Sequence, residues 1–304
     1  MSNKRIKEKG KISHYNELYD ENGYIYSIDN ICIGFIIDKR REVDLFSMLG
    51  NISRTDIDYK EKFSTRNYRH LWTIKYGEGA SMTVKYVYNG YDYHSDILKG
   101  VIDENPNKTG AYTQYWKEYN GLKSYFKEFE IKRLDVAIDI PIKHRNLIVK
   151  KDKRKYVELY NSADDATYYL GKRSNIGNVK IYNKTTEMLK KNIVLGYDSS
   201  RIEVTCLPSL ESFKQHYPTI CDTSHLNNMD ESYDSLNNTE KGIVSLISLL
   251  KTYGYGEEAL KTYQNMCYGM RKKLKPFVLQ EPCLISYSED TISQLLNNTR
   301  ELYL

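Results

Sequence analysis

Three short runs carry the chemistry that this sequence offers. In KRLDVAIDI (Lys132–Ile140), Leu134, Val136, Ile138 and Ile140 recur at every second position. Side chains alternate across an extended strand, so Arg133, Asp135, Ala137 and Asp139 share the opposite face. In NVKIYNK (Asn178–Lys184), Val179 and Ile181 take one face and Lys180 and Tyr182 the other. In RIEVTCL (Arg201–Leu207), Ile202, Val204 and Cys206 turn inward and leave Arg201, Glu203 and Thr205. If the three strands are neighbours, one face gathers a phenol, carboxylates and basic groups. Those are the parts of phosphodiester cleavage by a side chain: an oxygen nucleophile, acids that hold a hard cation such as Mg²⁺ or Mn²⁺, and bases that hold phosphate. A tyrosine oxygen that attacks phosphorus keeps the bond energy as phosphotyrosine, so cleavage is reversible and rejoining needs no nucleotide.

The spacing limits this reading. Asp135 and Asp139 stand roughly 13 Å apart on a straight strand, too far to share one ion alone, whereas adjacent strands lie about 4.8 Å apart. A half-solvated antiparallel sheet with ordinary outward charges has the same pattern. Ala137 leaves room above the sheet between the two aspartates. The 29 tyrosines, with abundant Lys, Asn and Ile, point to an AT-rich coding sequence, so Tyr182 has meaning only through its neighbours.

Other chemistries lack their motifs. There is no GxxxxGK[ST] loop, no GxSxG elbow, no HExxH and no HxH. The missing HxH separates the chain from nickases that use paired histidines. The five cysteines form no CxxC pair and read as buried, reduced thiols.

The elements that must position these residues follow from periodicity. CIGFIID (Cys32–Asp38), LWTIKYG (Leu71–Gly77), MTVKYVY (Met82–Tyr88) and DILKGVID (Asp96–Asp103) are strand candidates, separated by turn signals such as EGAS and YNGYD. Trp116, Tyr119, Leu122 and Phe126 predict a helix from about Thr113 to Phe129. EIKRLDVAIDI (Glu130–Ile140) is the clearest strand, and ATYYLG (Ala166–Gly171) joins the two later runs. KKDKRK (Lys150–Lys155) is a solvated loop or a DNA-contacting one. After Pro208 the texture turns helical: SLESFKQHY, then Thr239–Tyr253 and Glu257–Leu274 around a GYG turn, with a polar connector at CDTSHLNNMDESYDSLNN.

Strands first and helices last predict an α+β fold: a large, curved, mainly antiparallel sheet flanked by helices, with a helical C-terminal part. The predicted organisation is a polar N-terminal segment (1–30), a β-rich catalytic domain (31–207) and a mainly helical region (208–304). With 304 residues, 40% hydrophobic and 28% charged, the chain is globular in composition. It shows neither a spanning apolar run nor a secretory signal, and is expected to be cytoplasmic and off the membrane. The net charge of +5 permits a polyanionic partner without demanding one.

KRLDVAIDI, TYYLGKR (Thr167–Arg173), KIYNKTTE (Lys180–Glu187) and RIEV (Arg201–Val204), in that order and spacing, resemble the trans-acting Rep family of rolling-circle plasmid initiators. ENPNK (Glu104–Lys108) resembles a segment that the family places before its central helix. The resemblance covers roughly Ile31 to Leu274, and the joint occurrence of RLDxAxD and KIYNKxxE is its specific part. It implies a nickase and strand transferase with Tyr182 as nucleophile and a 5′-phosphotyrosine intermediate. It implies a divalent metal at acidic residues of the active face, placed by motif at Asp135, Asp139, Glu203 and Glu187. It puts Lys184 and Arg201 at the scissile phosphate. Further DNA contacts are expected from Arg133 and Lys180, and from Lys261, Arg271, Lys272 and Lys273 on the last helices. The implied partners are double-stranded origin DNA with its single-stranded nick site, a host replicative helicase and a second copy of the chain. Ser200 and Thr205 depart from the family pattern, which commonly has Trp and a second acid there, so no ligand role passes to Thr205. A relaxase of an integrative or conjugative element shares the chemistry, and a catalytically inert DNA-binding regulator would share the sheet.

Overall fold

The computed structural model describes residues 17–52, 70–77, 79–87, 96–160, 165–173, 175–222, 235–252, 255–278 and 283–304. In chain order the elements are β1 (Leu18–Tyr19), β2 (Ile25–Asp38), α1 (Glu42–Ile52), β3 (His70–Gly77), β4 (Ala80–Val87), β5 (Ile97–Glu104), α2 (Pro106–Thr109) and α3 (Thr113–Lys123). Then come β6 (Phe126–Ile140), β7 (Leu147–Val149), β8 (Tyr156–Tyr160), β9 (Ala166–Leu170), β10 (Val179–Asn183), α4 (Lys184–Lys190), β11 (Ser200–Cys206) and α5 (Leu210–His216). The chain ends with β12 (Ile220–Asp222), α6 (Asn238–Thr252), α7 (Gly256–Gln264), α8 (Tyr268–Val278), β13 (Cys283–Leu284) and α9 (Glu289–Tyr303).

The fold is α+β, with a ten-stranded sheet in the order β3-β4-β5-β2-β6-β11-β10-β9-β8 and β1 on β2, and with a helical C-terminal part. The sheet is open at β3 and β8. The pairings β3·β4, β4·β5, β2·β5, β8·β9 and β9·β10 are antiparallel. A second sheet has the order β13-β12-β7. Contacts divide the chain into two units: Met1–Ile138 with Glu203–His216 and Glu289–Leu304, and Asp139–Ile202 with Tyr217–Ser288.

In the first unit the inward residues of the strands make the core: Ile31, Ile33, Ile37, Val84, Ile102, Leu134, Val136 and Ile138 are fully buried. Gly100 is needed there, because a Cβ would fall on the Phe35 ring and within 2.7 Å of the Lys85 carbonyl oxygen. Glu104, the first residue of ENPNK, is buried beneath α3, where the Tyr115 hydroxyl donates to its Oε1. Burial pushes its carboxyl up to about 7, against the pull of the Tyr115 hydrogen bond. In the second unit Val179, Ile181 and Ile202 are buried, and α6, α7 and α8 close around Leu236, Val244, Ile247, Ala259, Leu274 and Phe277. Gly171 makes the turn from β9 toward β10 at φ 90°, where a Cβ would come within 3.0 Å of the Gly177 carbonyl oxygen.

Several expectations are corrected. The helix over 113–129 stops at Lys123, and Phe126 opens β6 instead. Its ring stacks on Phe35 at 4.4 Å, a tertiary contact that overrides the helical spacing. The helix over Glu257–Leu274 breaks into α7 and α8 at Asn265–Cys267. The Tyr263 hydroxyl donates to the Arg271 carbonyl oxygen across that break, at 3.0 Å. Part of the polar N-terminal stretch is in the sheet, since Leu18 pairs with Tyr26 and β2 starts at Ile25. The connector after Asp222 lies mostly outside the described residues. Among the described residues no helix is long and apolar enough to cross a membrane.

Candidate active site

In the second unit the polar residues close around one phenol. Tyr182 is the second-last residue of β10 and pairs with Thr167 of β9. The strand stops at Asn183 because its Oδ1 accepts the Thr186 N–H at 2.9 Å and so starts α4. Lys180, two residues before Tyr182 and on its face, puts its Nζ 3.8 Å from the centre of the ring. Lys184, at the start of α4, puts its Nζ 5.9 Å from the same ring. A cation over a π face is attracted by the ring quadrupole, and it also stabilises negative charge on the phenol oxygen. The alternation expects an outward Tyr182, but the ring is covered and only 7% exposed.

The carboxylates of this unit already have partners. Both oxygens of Asp139 accept from Arg201, at 2.5 Å from Nε and 2.6 Å from Nη2. Arg201 is buried, so this forked pair fixes its guanidinium plane. Glu187 lies between Lys184 at 2.7 Å and Lys191 at 2.5 Å. Burial opposes ionisation of Glu187, but the two ammonium groups outweigh it and bring the carboxyl down to about 2. The Lys184 ammonium is held below its ordinary range, first by burial and then by the Arg201 charge, with Glu187 and Asp139 acting the other way. Lys180, Lys184 and Arg201 thus make a basic niche whose acids are internally neutralised.

The first unit holds the other expected acids, Asp135 and Glu203. Asp135 on β6 is pushed above the usual carboxylate range by burial, with Asp29 and Asp103 adding to the shift. A hydrogen bond with Thr205 and the Arg133 charge act against it. Asp103 is taken by Lys85 at 2.6 Å, with Arg133 Nη2 at 3.5 Å. Asp29 Oδ1 accepts from Asn105 Nδ2 at 3.1 Å. Asp135 Oδ1 is buried and has no hydrogen-bond partner. Burial, with Asp103 nearby, pushes the Cys32 thiol up to about 12, and burial with Asp135 does the same for Cys206, so both stay protonated. Sequence reasoning missed Asp29, Asp103 and Lys85; the outward position of Asp103 was available from the alternation in DILKGVID.

Four carboxylates were expected to hold a metal, and the structure treats them differently. Asp139 and Glu187 have committed oxygens, Glu203 is half-buried on β11, and Asp135 has a buried oxygen without a donor. Among the described residues no group of three or more His, Cys, Asp or Glu side chains comes together as a metal site. A hard cation fits the orphaned oxygen of Asp135, because it would relieve a carboxylate that burial and two other acids disfavour. It does not fit Asp139, whose charge Arg201 already meets.

The expected DNA contacts also divide. Lys272 is exposed on α8, and Lys261 is exposed on α7, 4.0 Å from Glu257. Lys273 is held by Glu240 at 2.8 Å, and Arg271 is half-buried. Arg133 is half-buried and engaged with Asp103 and with Asn30, at 3.5 Å each.

No family model matches the chain, and no curated protein does. Among solved structures it is similar to one described as "Structure of Rolling Circle Replication Initiator Protein from Geobacillus stearothermophilus". The two are 14% identical, with 76% of this chain and 86% of that one covered and a TM-score of 0.35. A likeness at that level does not say which residues act.

Proposed function

We propose that the chain initiates plasmid rolling-circle replication by nicking and rejoining one DNA strand at an origin, with Tyr182 as the nucleophile. The observation that carries this reading is the phenol flanked by Lys180 and Lys184 in a niche whose carboxylates are already neutralised. Such a niche attracts an anion and stabilises a phenolate. The phenol oxygen attacks phosphorus, the 3′-oxygen leaves with the bonding pair, and the phenol proton ends on it. The products are a 3′-hydroxyl and a 5′-phosphotyrosine. Arg201, aimed by Asp139, and Lys184, tethered by Glu187, hold the phosphate oxygens. The flexible Lys180 stem uncovers the ring when its ammonium moves onto phosphate.

Asp135 and Glu203 would hold Mg²⁺ or Mn²⁺, and such an ion supplies polarisation of non-bridging phosphate oxygens when bound. The helical cluster α6–α8, with Lys261 and Lys272 outward, is the origin-binding part of this reading, and a second copy and a replicative helicase are its partners. Incubation of supercoiled origin plasmid with protein and Mg²⁺ tests it: open-circle product is expected, and it is lost in Tyr182→Phe. The covered ring favours a second reading, DNA binding without cleavage. Origin binding with no open-circle product from the wild type would establish that one instead.

A further inference from the structure

β9 and the turn that follows it adjoin the niche, yet the chemistry assigned to Tyr182 uses none of their side chains. Residues directly opposite in an antiparallel pair share a face of the sheet. Thr167 pairs with Tyr182, and Tyr169 pairs with Lys180. On the other side of β9, Thr167 pairs with Leu159 and Tyr169 with Val157. The face that carries Tyr182 therefore continues through Thr167 and Tyr169 to Val157 and Leu159 on β8, the edge strand. Tyr169 is a diagonal neighbour of Tyr182, roughly 7–8 Å away on such a ladder and within the reach of an aromatic side chain. It is half-buried, so part of its ring meets solvent, and Leu159 is 56% exposed.

Charge is uneven around this face. The Gly171 N–H donates to the Lys155 carbonyl oxygen at 2.8 Å, and the positive φ of Gly171 turns the chain into Lys172 and Arg173. Three exposed cations are thus grouped just past Tyr169. The acids nearby are committed elsewhere. Asp152 accepts from Arg154 Nε at 2.9 Å, and Asp165 is paired with Lys190 at 2.9 Å. Glu158 lies on the opposite face, beside Tyr168, and accepts from the Tyr156 hydroxyl at 3.1 Å. Among the described residues no carboxylate pairs with Lys155, Lys172 or Arg173.

A ring face among apolar side chains, with unpaired cations beyond it, suits a single strand: a base stacks on the ring and phosphates meet the cations. A duplex keeps its bases stacked on one another, and an acidic protein would meet the cations without needing the ring. We propose that Tyr169 stacks a base of single-stranded DNA next to the phosphate presented to Tyr182, and that the strand continues over Lys155, Lys172 and Arg173. This deepens the nicking reading and rests on it for the place of that phosphate. Stacking tolerates any base, so Tyr169 positions the strand and does not read its sequence.

The test follows binding of a fluorescein-labelled oligothymidylate to the full chain by anisotropy. Tyr169→Leu keeps an apolar side chain but removes the ring, and is expected to weaken binding about tenfold, the scale of one stacking contact. Tyr169→Phe is expected to keep wild-type affinity. Lys172→Gln with Arg173→Gln is expected to lower the slope of log affinity against log salt by about 0.7 for each phosphate contact removed. Both of those side chains are exposed, so this variant tests the path even where circular dichroism shows that Tyr169→Leu has lost its fold. Unchanged affinity in folded Tyr169→Leu overturns the proposal. So does a Tyr169→Phe protein as weak as the Leu variant, or an unchanged salt slope. Duplex DNA or polyglutamate that displaces the probe as well as unlabelled oligothymidylate overturns it too. Ring-dependent binding by a protein that gives no open-circle product would keep the stacking residue and remove the nicking reading. Tyr182-dependent nicking with wild-type binding by Tyr169→Leu would do the reverse.

Discussion

The two aspartates of RLDVAID sit four residues apart on one face of one strand, yet one has both oxygens paired and the other does not. Asp139 is locked in a two-point pair with buried Arg201, as Glu187 is locked between Lys184 and Lys191. Asp135 has a carboxyl raised chiefly by burial, with Thr205 and Arg133 acting against the shift and Asp29 and Asp103 adding to it, and an oxygen with no donor. The difference separates two tasks that the motif writes identically. In the proposed reading, Asp139, already neutralised, aims Arg201 at phosphate, whereas Asp135, with an oxygen unmet, takes a cation of its own.

The largest expected effect is on Asp139. Asp139→Ala leaves a buried guanidinium without its partner and is expected to cost about 3–5 kcal/mol, read in urea denaturation. A loss below about 1 kcal/mol would mean that the pair is not buried as described. Asp135→Asn should act with the opposite sign. Its folded carboxyl is raised, so the native state holds the proton more tightly than the unfolded chain does. The Asp135 contribution is therefore greatest at acid pH and is lost as pH rises through the folded value. Removing the charge is expected to raise the melting temperature at pH 7. Mg²⁺ or Mn²⁺ should raise it in the wild type and not in the variant, which sharpens the comparison without any activity measurement.

Glu187 gives the smallest effect. Its carboxyl is brought from about 4.5 to about 2, so its contribution is present above the unfolded value and is lost as pH falls through the folded one. With a side chain 31% exposed, the loss on Glu187→Gln at pH 7 is expected to stay below about 1 kcal/mol. A larger loss would place Glu187 with Asp139 as a structural pair.

Much of this was legible in the sequence where alternation is strict. Leu134, Val136, Ile138, Val179, Ile181, Ile202 and Val204 are buried as their spacing requires, and β6, β11 and β10 are consecutive in the sheet. The helix α9 was legible too, from Ile292, Leu295, Leu296, Thr299 and Tyr303 at helical spacing, and was missed. What period two does not encode is coverage of the polar face. Lys180 reaching over Tyr182, and Arg201 reaching Asp139, depend on long side chains whose direction is set by neighbours on other strands. For the same reason Phe126 reads as helical and lies in a strand, its ring claimed by Phe35.

The central claim is that the phenol oxygen of Tyr182 becomes bonded to DNA. Protein incubated with an origin oligonucleotide and Mg²⁺, then digested and mapped by mass spectrometry, should show a nucleotide phosphate on the peptide that carries Tyr182. An adduct on any other tyrosine, or nicked product without an adduct on protein, would contradict it.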